Sequence, residues 1–477
     1  MGARLISTRD PQRKEISYSD ALLQGLAPDG GLYIPTEYLE ISPTELADFR
    51  GKPYTDLAFK VKSKLVDTPS AELHSQVNRA YAQDKFGFIG SNIVPVRKIG
   101  EGFFVEELSH GPTASFKDMA LRQLAQEIEH ALERRGESLN MLGGTSGDTG
   151  SSAEDAFKES MRVKLCMLSP QLGMSAFQKD QMGVLSGGNI LNASLVGGTF
   201  DDCQYLVKQL KGEPEFAKLG AVNSINWGRI SSQVPYYVSG YVQVAERIGN
   251  GAKVDFVVPS GNFGNVFAGY VARRMGVPIR RLIIATNEND VLERLVRTGV
   301  YEKKGKADRT SSPSMDITDA SNYERLLFEM VGRNPDVAAR YMLAFKRTGK
   351  VDLADFGLSP TVFAEFGFFA GSSSHAKRIE EIRRVSRESG IVIDPHTADG
   401  VSVARKYVNQ GAPVIVMSTA MPVKFEDTIK EALGHELVPE REERFRGLEA
   451  RVPKGAFYEI KAGDAEALRE YLRRNMN

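Results

Sequence analysis

Short apolar runs alternate with amphipathic stretches over most of the chain. MLGG at 141–144, VKLCML at 163–168, ILNASLV at 190–196, VDFVVP at 254–259, RLIIAT at 281–286 and PVIVMST at 413–419 have the length of strands and lie between helix-like patterns. That alternation predicts an α/β fold with parallel sheet covered by helices. The pattern becomes regular only from about Phe103. Residues 1–100 mix polar stretches with turn signals such as Pro28-Asp29-Gly30-Gly31, and predict a mostly helical N-terminal appendage. Residues 101–299 and 391–477 read as the α/β core, with a smaller subdomain at about 120–222. Residues 300–390 carry the charged run YEKKGKADRTSS, helical patterns and Gly371-Ser372-Ser373-Ser374, and predict a mostly helical insertion.

Composition narrows the function. The 477 residues include 61 basic and 61 acidic side chains, a formal net charge of zero, so no overall field attracts nucleic acid or an anionic membrane. Cys166 and Cys203 are too few for a disulfide scaffold and lack zinc spacing, which suits a reducing compartment. The six histidines are scattered without an HExxH motif, so no metal centre is expected and hard chemistry falls to an organic cofactor. No secretory leader and no apolar run of membrane-spanning length is read, and a cytoplasmic location is expected.

Three segments carry candidate chemistry. In HGPTASFKDMALRQLAQEIEHALERRG at 110–136, Leu121, Leu124, Ala125, Ile128 and Leu132 share a helical face, and Ser115 with Asp118 resembles a capping box, predicting a helix from Ser115. Lys117 then stands in the first turn, where the positive end of the helix dipole favours the uncharged amine that Schiff-base chemistry needs. A solvated lysine at a helix start is the other reading. In GGTSGDTGSSAEDAF at 143–157, glycines permit close backbone approach while Thr145, Ser146 and Thr149 offer hydroxyls beside amide donors, a cradle for a carboxylate. The helix after it is predicted to be capped by Ser151 with Glu154; a structural glycine–serine turn explains the same residues. In VDFVVPSGNFGNVFAGY at 254–270, Gly261 and Gly264 let amides converge, Asn262 and Asn265 add donors, and the next helix points its N-terminus at the loop. A phosphate fits there, and the missing lysine makes it an anchor rather than a transferred group; an empty turn is the alternative.

Taken together, HGPTASFKD, TSGDTGSSA and VPSGNFGN resemble the fold-type II pyridoxal-phosphate enzymes and, within them, the threonine synthases. STRD and PDGGLYIP near the start, NSINWGRI at 223–230, IDPHTADGV at 393–401 and STAMPVKFEDTI at 418–429 extend the resemblance along the chain. The tetraglycine loop of dehydratases and the Gly-Thr-Gly-Gly-Thr loop of sulfhydrylases do not occur.

The resemblance implies a tryptophan-synthase-β-like fold with two parallel-sheet α/β domains, and pyridoxal 5'-phosphate as cofactor. Lys117 is the lysine that bonds it; Gly261, Asn262, Phe263, Gly264 and Asn265 hold its phosphate; Thr419 faces the pyridine nitrogen. Asp148 stands where many relatives have an asparagine near the ring oxygen, an awkward place for an acid unless one partner is protonated or the carboxylate turns away. Thr145, Ser146 and Thr149 take the substrate carboxylate, and Arg229 with Ser224 and Asn226 takes its phosphate, from a helix beginning near Arg229. Asp394, His396 and Asp399 fall in a family-like block without an assigned role. The implied reaction is a carbon–oxygen lyase step that turns O-phospho-L-homoserine and water into L-threonine and phosphate, in a monomer or homodimer with no nucleic-acid or membrane partner. A phospholyase that omits hydration, a β-eliminating or β-replacing enzyme of the same fold, and a non-catalytic binding protein are the rival expectations.

Overall fold

Strands buried on both faces are mostly apolar, and the central strands of the main sheet are of this kind. In the computed structural model, described here for residues 3–86, 92–211, 213–216, 219–220, 222–249, 251–435 and 445–476, a small antiparallel sheet of β1 (Arg4–Ser7), β2 (Ile16–Ser17) and β3 (Tyr33–Pro35) comes first. The main six-stranded sheet contains β4 (Val96–Gly100), β5 (Phe103–Glu107), β9 (Val254–Pro259), β10 (Ile279–Thr286), β13 (Phe368–Ser372) and β14 (Val414–Ser418), in the order β13-β10-β9-β14-β5-β4. All its pairings are parallel except β4 with β5. Alternate residues feed two cores: Phe256, Val258, Leu282 and Ile284 pack on one side, Val257, Ile283, Val414 and Val416 on the other.

The second sheet is parallel throughout, with β6 (Leu139–Gly144), β7 (Val163–Pro170), β8 (Ile190–Val196) and β15 (Tyr458–Lys461) in the order β15-β8-β7-β6. A two-stranded antiparallel pair, β11 (Val300–Glu302) with β12 (Lys350–Asp352), stands apart. Among the described residues no helix is long and apolar enough to cross a membrane.

Several boundaries move from the sequence expectation. The first hundred residues hold helices, yet β1–β3 form a sheet and β4 belongs to the main sheet. The insertion is shorter than 300–390, because β13 pairs with β10 as an edge strand and the helix His375–Ser389 packs on that sheet with Ile379, Ile382 and Val385. The smaller subdomain extends past 222, since β15 adds to β8 and the helix Ala465–Met476 covers it through Leu468 and Leu472. FFAGS ends in glycine and serine and YEIK is mostly exposed, so neither leaves an apolar run before a neighbour pairs with it.

Candidate active site

The motif loops follow the C-terminal ends of parallel strands, where α/β sheets open crevices. The loop after β5 leads into the helix Lys117–Arg135, whose first residue is Lys117. No capping box forms. Asp118 turns back instead, accepting from the Thr113 amide and hydroxyl and from Ser152, while Phe116 takes the cap position without a side-chain cap. The loop after β6 leads into the helix Asp148–Phe157, capped by Gly147 rather than Ser151. The loop after β9 leads into the helix Gly264–Arg274, and Phe263 at its cap has φ of 67°, a left-handed conformation.

These loops line one cleft of about 160 Å³ with Lys117, Gly144, Asp148, Thr149, Ser224, Arg229, Gly261, Asn262, Phe263, Gly264, Asn265 and Thr419 among its walls. The Lys117 side chain is 13% exposed, and its Nζ lies 3.5 Å from Asp148 Oδ2 and over the Phe116 ring. Burial pushes the Lys117 amine below its ordinary value; Asp148 works against that shift, and Lys424 and Arg229 reinforce it. Burial by itself opposes charge on Asp148, but Lys424 and Lys117 outweigh it and hold the carboxyl well below the usual range. Burial also lowers the Arg229 guanidinium to about 10. Arg229 donates to the Val222 carbonyl at 2.9 Å and has no ion pair among the described residues, while its Nε is buried without a partner.

The expected donors divide. Ser224 reaches the cleft and accepts from Asn322 Nδ2 at 3.1 Å. Asn226 does not line it: its Oδ1 caps the helix Trp227–Ser231 by accepting from the Gly228 amide, and its Nδ2 donates to Leu22 O. The carboxamide is thus turned toward the backbone of Gly228 and Leu22 rather than toward the cleft. Thr145 Oγ1 likewise folds back to accept from the Gly147 and Gly150 amides at 2.9 and 2.8 Å, and neither Thr145 nor Ser146 is among the cleft walls. Sequence reasoning gave no role to Asn223, Ser314 or His396, which do line the cleft. His396 is oriented by its neighbours: Nδ1 meets Asp394 Oδ1 at 2.9 Å and Nε2 accepts from the Ser314 amide at 3.0 Å. Asp394 also caps the helix Pro395–Ala404, and Asp399 pairs with Arg378. The IDPHTAD block is therefore a brace beside the cleft.

Pyridoxal phosphate fits these walls by the polar atoms left over. Asn265 Oδ1 accepts from Tyr236 and Tyr237 at 2.7 and 2.8 Å, while its Nδ2 is buried without a partner among the described residues. Thr419 Oγ1 is also buried and unpartnered among the described residues. A Cβ on Gly261 would meet Met315 Cα at 3.2 Å, and one on Gly264 would meet Asn322 Nδ2 at 3.3 Å, so side chains there would crowd the loop. An anion receptor, a hydroxyl facing a ring nitrogen and a buried amine are the set that the cofactor uses.

Two α/β sheets, a buried lysine at a helix start and a glycine–asparagine anion loop define the pyridoxal-phosphate-dependent enzymes of fold type II, and residues 90–348 match that family, described as "Pyridoxal-phosphate dependent enzyme". Residues 4–81 match "Threonine synthase N terminus" and residues 397–472 "Threonine synthase, C-terminal". The chain belongs to the threonine synthase family. It is 45% identical to the threonine synthase of Methylobacillus glycogenes over 98% of this chain and 99% of that protein, and 46% identical to that of Corynebacterium glutamicum over 93% of each. The solved pyridoxal-phosphate-bound threonine synthase of Brucella melitensis superimposes with a TM-score of 0.88 at 38% identity, covering 99% of both chains. The yeast enzyme gives 0.89 at 32% identity, covering 99% of this chain and 98% of that one.

Proposed function

We propose that this chain converts O-phospho-L-homoserine and water into L-threonine and inorganic phosphate, with pyridoxal phosphate held by Lys117, the Gly261–Asn265 loop and Thr419, and Asp148 beside its ring. The observation that carries the substrate reading is Arg229: a buried guanidinium without a carboxylate partner, at the wall of the cleft that also holds the glycine–asparagine loop. One cleft thus has two sets of anion donors, one for the cofactor and one for the substrate phosphate. When bound, the cofactor withdraws electrons and makes the α and β protons of an amino acid accessible to a weak base.

The residues of the chain supply the rest. Lys117 in its amine form accepts the α proton and moves protons at the β carbon, since it is the mobile base at the cleft wall. Arg229 and Ser224 hold the phosphate as it leaves the γ carbon. Thr149, at the N-terminal end of the helix Asp148–Phe157, offers its hydroxyl to the substrate carboxylate beside the helix amides. Buried, free Cys166 and Cys203 accord with a cytoplasmic location, and a monomer or homodimer is part of the same reading.

The test is to incubate the purified holoenzyme with O-phospho-L-homoserine and measure threonine and phosphate together. Equal amounts of both support the reading; phosphate with a keto acid in place of threonine overturns it in favour of a phospholyase. Arg229→Ala is expected to keep the cofactor absorbance and to lower kcat/KM by about a hundredfold, as loss of a charge-assisted phosphate contact costs roughly 2 to 3 kcal/mol. Near-normal kcat/KM in that variant removes Arg229 from the substrate site.

A further inference from the structure

Lys424 sits in the 3-10 turn Pro422–Phe425 that follows β14, with its side chain 0% exposed. Its Nζ is 2.7 Å from Asp148 Oδ1 and donates to the Thr113 carbonyl at 2.9 Å. Asp148 also accepts from Gln178 Nε2 at 2.8 Å and from Ser314 Oγ at 3.1 Å, and Lys117 approaches its other oxygen at 3.5 Å. Two lysines therefore face one carboxylate in a closed space, and the shorter contact belongs to Lys424.

The remaining charged groups around Lys117 do not alter that division. Asp118 follows it in the chain but is turned into Thr113 and Ser152. Arg229 adds positive charge from the helix Trp227–Ser231, and Lys208 lines the cleft from the helix Phe200–Lys211. His396 faces Asp148 from the helix Pro395–Ala404 with its Nδ1 committed to Asp394. Asp148 is thus the carboxylate within reach of Lys117, and a cation already occupies it.

We propose that Lys424 is the fixed countercharge of Asp148, a positioning residue that keeps Asp148 from holding Lys117 as an ammonium and so leaves Lys117 an uncharged amine, ready to bond an aldehyde. The arrangement also answers how an aspartate is tolerated beside the cofactor ring: the Asp148–Lys424 pair is neutral as a unit. Removal of Lys424 frees the carboxylate to hold Lys117 as an ammonium. Removal of the Asp148 charge does the opposite, because Lys117 then faces Lys424 and Arg229 alone. Burial of Lys117 and the positive charges of Lys424 and Arg229 already act in that direction.

The inference rests on reading Lys117 as the cofactor-bearing lysine, which borohydride trapping of the holoenzyme checks separately by locating the pyridoxyl group in a peptide map. The test proper strips the cofactor from the full chain and follows acetylation of Lys117 by acetic anhydride against pH, read by mass spectrometry. Relative to the unaltered chain, Lys424→Gln is expected to raise the proton affinity of Lys117 about tenfold or more, Asp148→Asn to lower it, and the double variant to return within about threefold of the starting value. An unmoved midpoint in Lys424→Gln, or a double variant no nearer the starting value, overturns the proposal. Where Lys424→Gln fails to fold because the Thr113 contact is lost, Asp148→Asn decides alone, since asparagine can keep the Gln178 and Ser314 contacts; no downward shift overturns the proposal. A pyridoxyl group on another lysine overturns the underlying reading instead.

Discussion

Asp148 and Glu106 are both enclosed, 2% and 0% exposed, and the fold treats them in opposite ways. Asp148 lies where four segments distant in sequence meet, and each brings a donor: Lys117, Gln178, Ser314 and Lys424. Glu106 lies on β5 against the helix Val234–Ile248, so close to Gly240 that a Cβ there would come within 2.2 Å of Oε2. Neither of its oxygens has a partner among the described residues. Burial pushes the Glu106 carboxyl well above its ordinary value, whereas the lysines overcome the same desolvation at Asp148. Depth alone does not set the charge of a carboxyl; the cations that the fold delivers to it do. One region is built to hold charge and the other to exclude it. The neutral region backs the first, because Tyr236 and Tyr237, which aim Asn265 at the cleft, belong to the helix that Glu106 faces.

The sharpest way to break this contrast is to remove the reactive member of the charged region. Lys117→Ala is expected to lose the visible absorbance of bound cofactor and at least about a thousandfold in turnover, measured by threonine release. Residual turnover near normal would move the chemistry to another lysine. Next, Asp148→Leu strands Lys424 as a buried, uncompensated cation and is expected to cost about 3 to 5 kcal/mol in urea unfolding of the cofactor-free protein. Glu106→Leu, which removes an acid without a partner, is expected to be far milder or stabilising. Equal losses at the two positions would erase the distinction.

A smaller effect depends on pH, and its sign differs between the two sites. A raised carboxyl is protonated in the folded chain while the unfolded chain ionises, so the contribution of Glu106 is present in full below about pH 4 and falls as pH rises, by at most about 1.4 kcal/mol per unit. Glu106→Gln is expected to flatten the stability profile above about pH 4, with its gain growing toward pH 8. Asp148, held low, contributes at neutral pH and loses that contribution as pH falls below about 4. Asp148→Asn is accordingly expected to weaken the protein near neutrality and change little in acid. Smallest of all, Thr419→Val removes a single unpartnered hydroxyl and is expected to weaken cofactor binding by about tenfold or less, measured by equilibrium dialysis.

Much of this was legible one segment at a time. The runs at 141–144, 163–168, 190–196, 254–259, 281–286 and 413–419 coincide with or overlap β6, β7, β8, β9, β10 and β14, because a strand covered on both faces leaves a mostly apolar record. Lys117 at a helix start and the glycine–asparagine turn after β9 were readable for the same reason, since helix ends and turns depend on neighbours within four or five residues. Asn226 and Thr145 show the limit of that reach. Each has the right chemistry at the right place in its motif, yet local amide hydrogens capture Thr145 Oγ1, and Asn226 is captured by Gly228 and a carbonyl from another part of the chain. A side chain beside orphan amides bonds them before it reaches a ligand.

What spacing along the chain carries, then, is the identity of the strands, the loops at their ends and the lysine at the first turn after β5. It does not carry which strand lies beside which, so β13 and β15 became strands only on pairing with β10 and β8. Nor does it carry charge state. Lys424 read as one more residue after a buried strand until folding set its ammonium 2.7 Å from Asp148, while Glu106 received no cation among the described residues. Coulomb interaction and desolvation depend on distance and burial in space, and both are created by the packing of segments that the sequence keeps far apart.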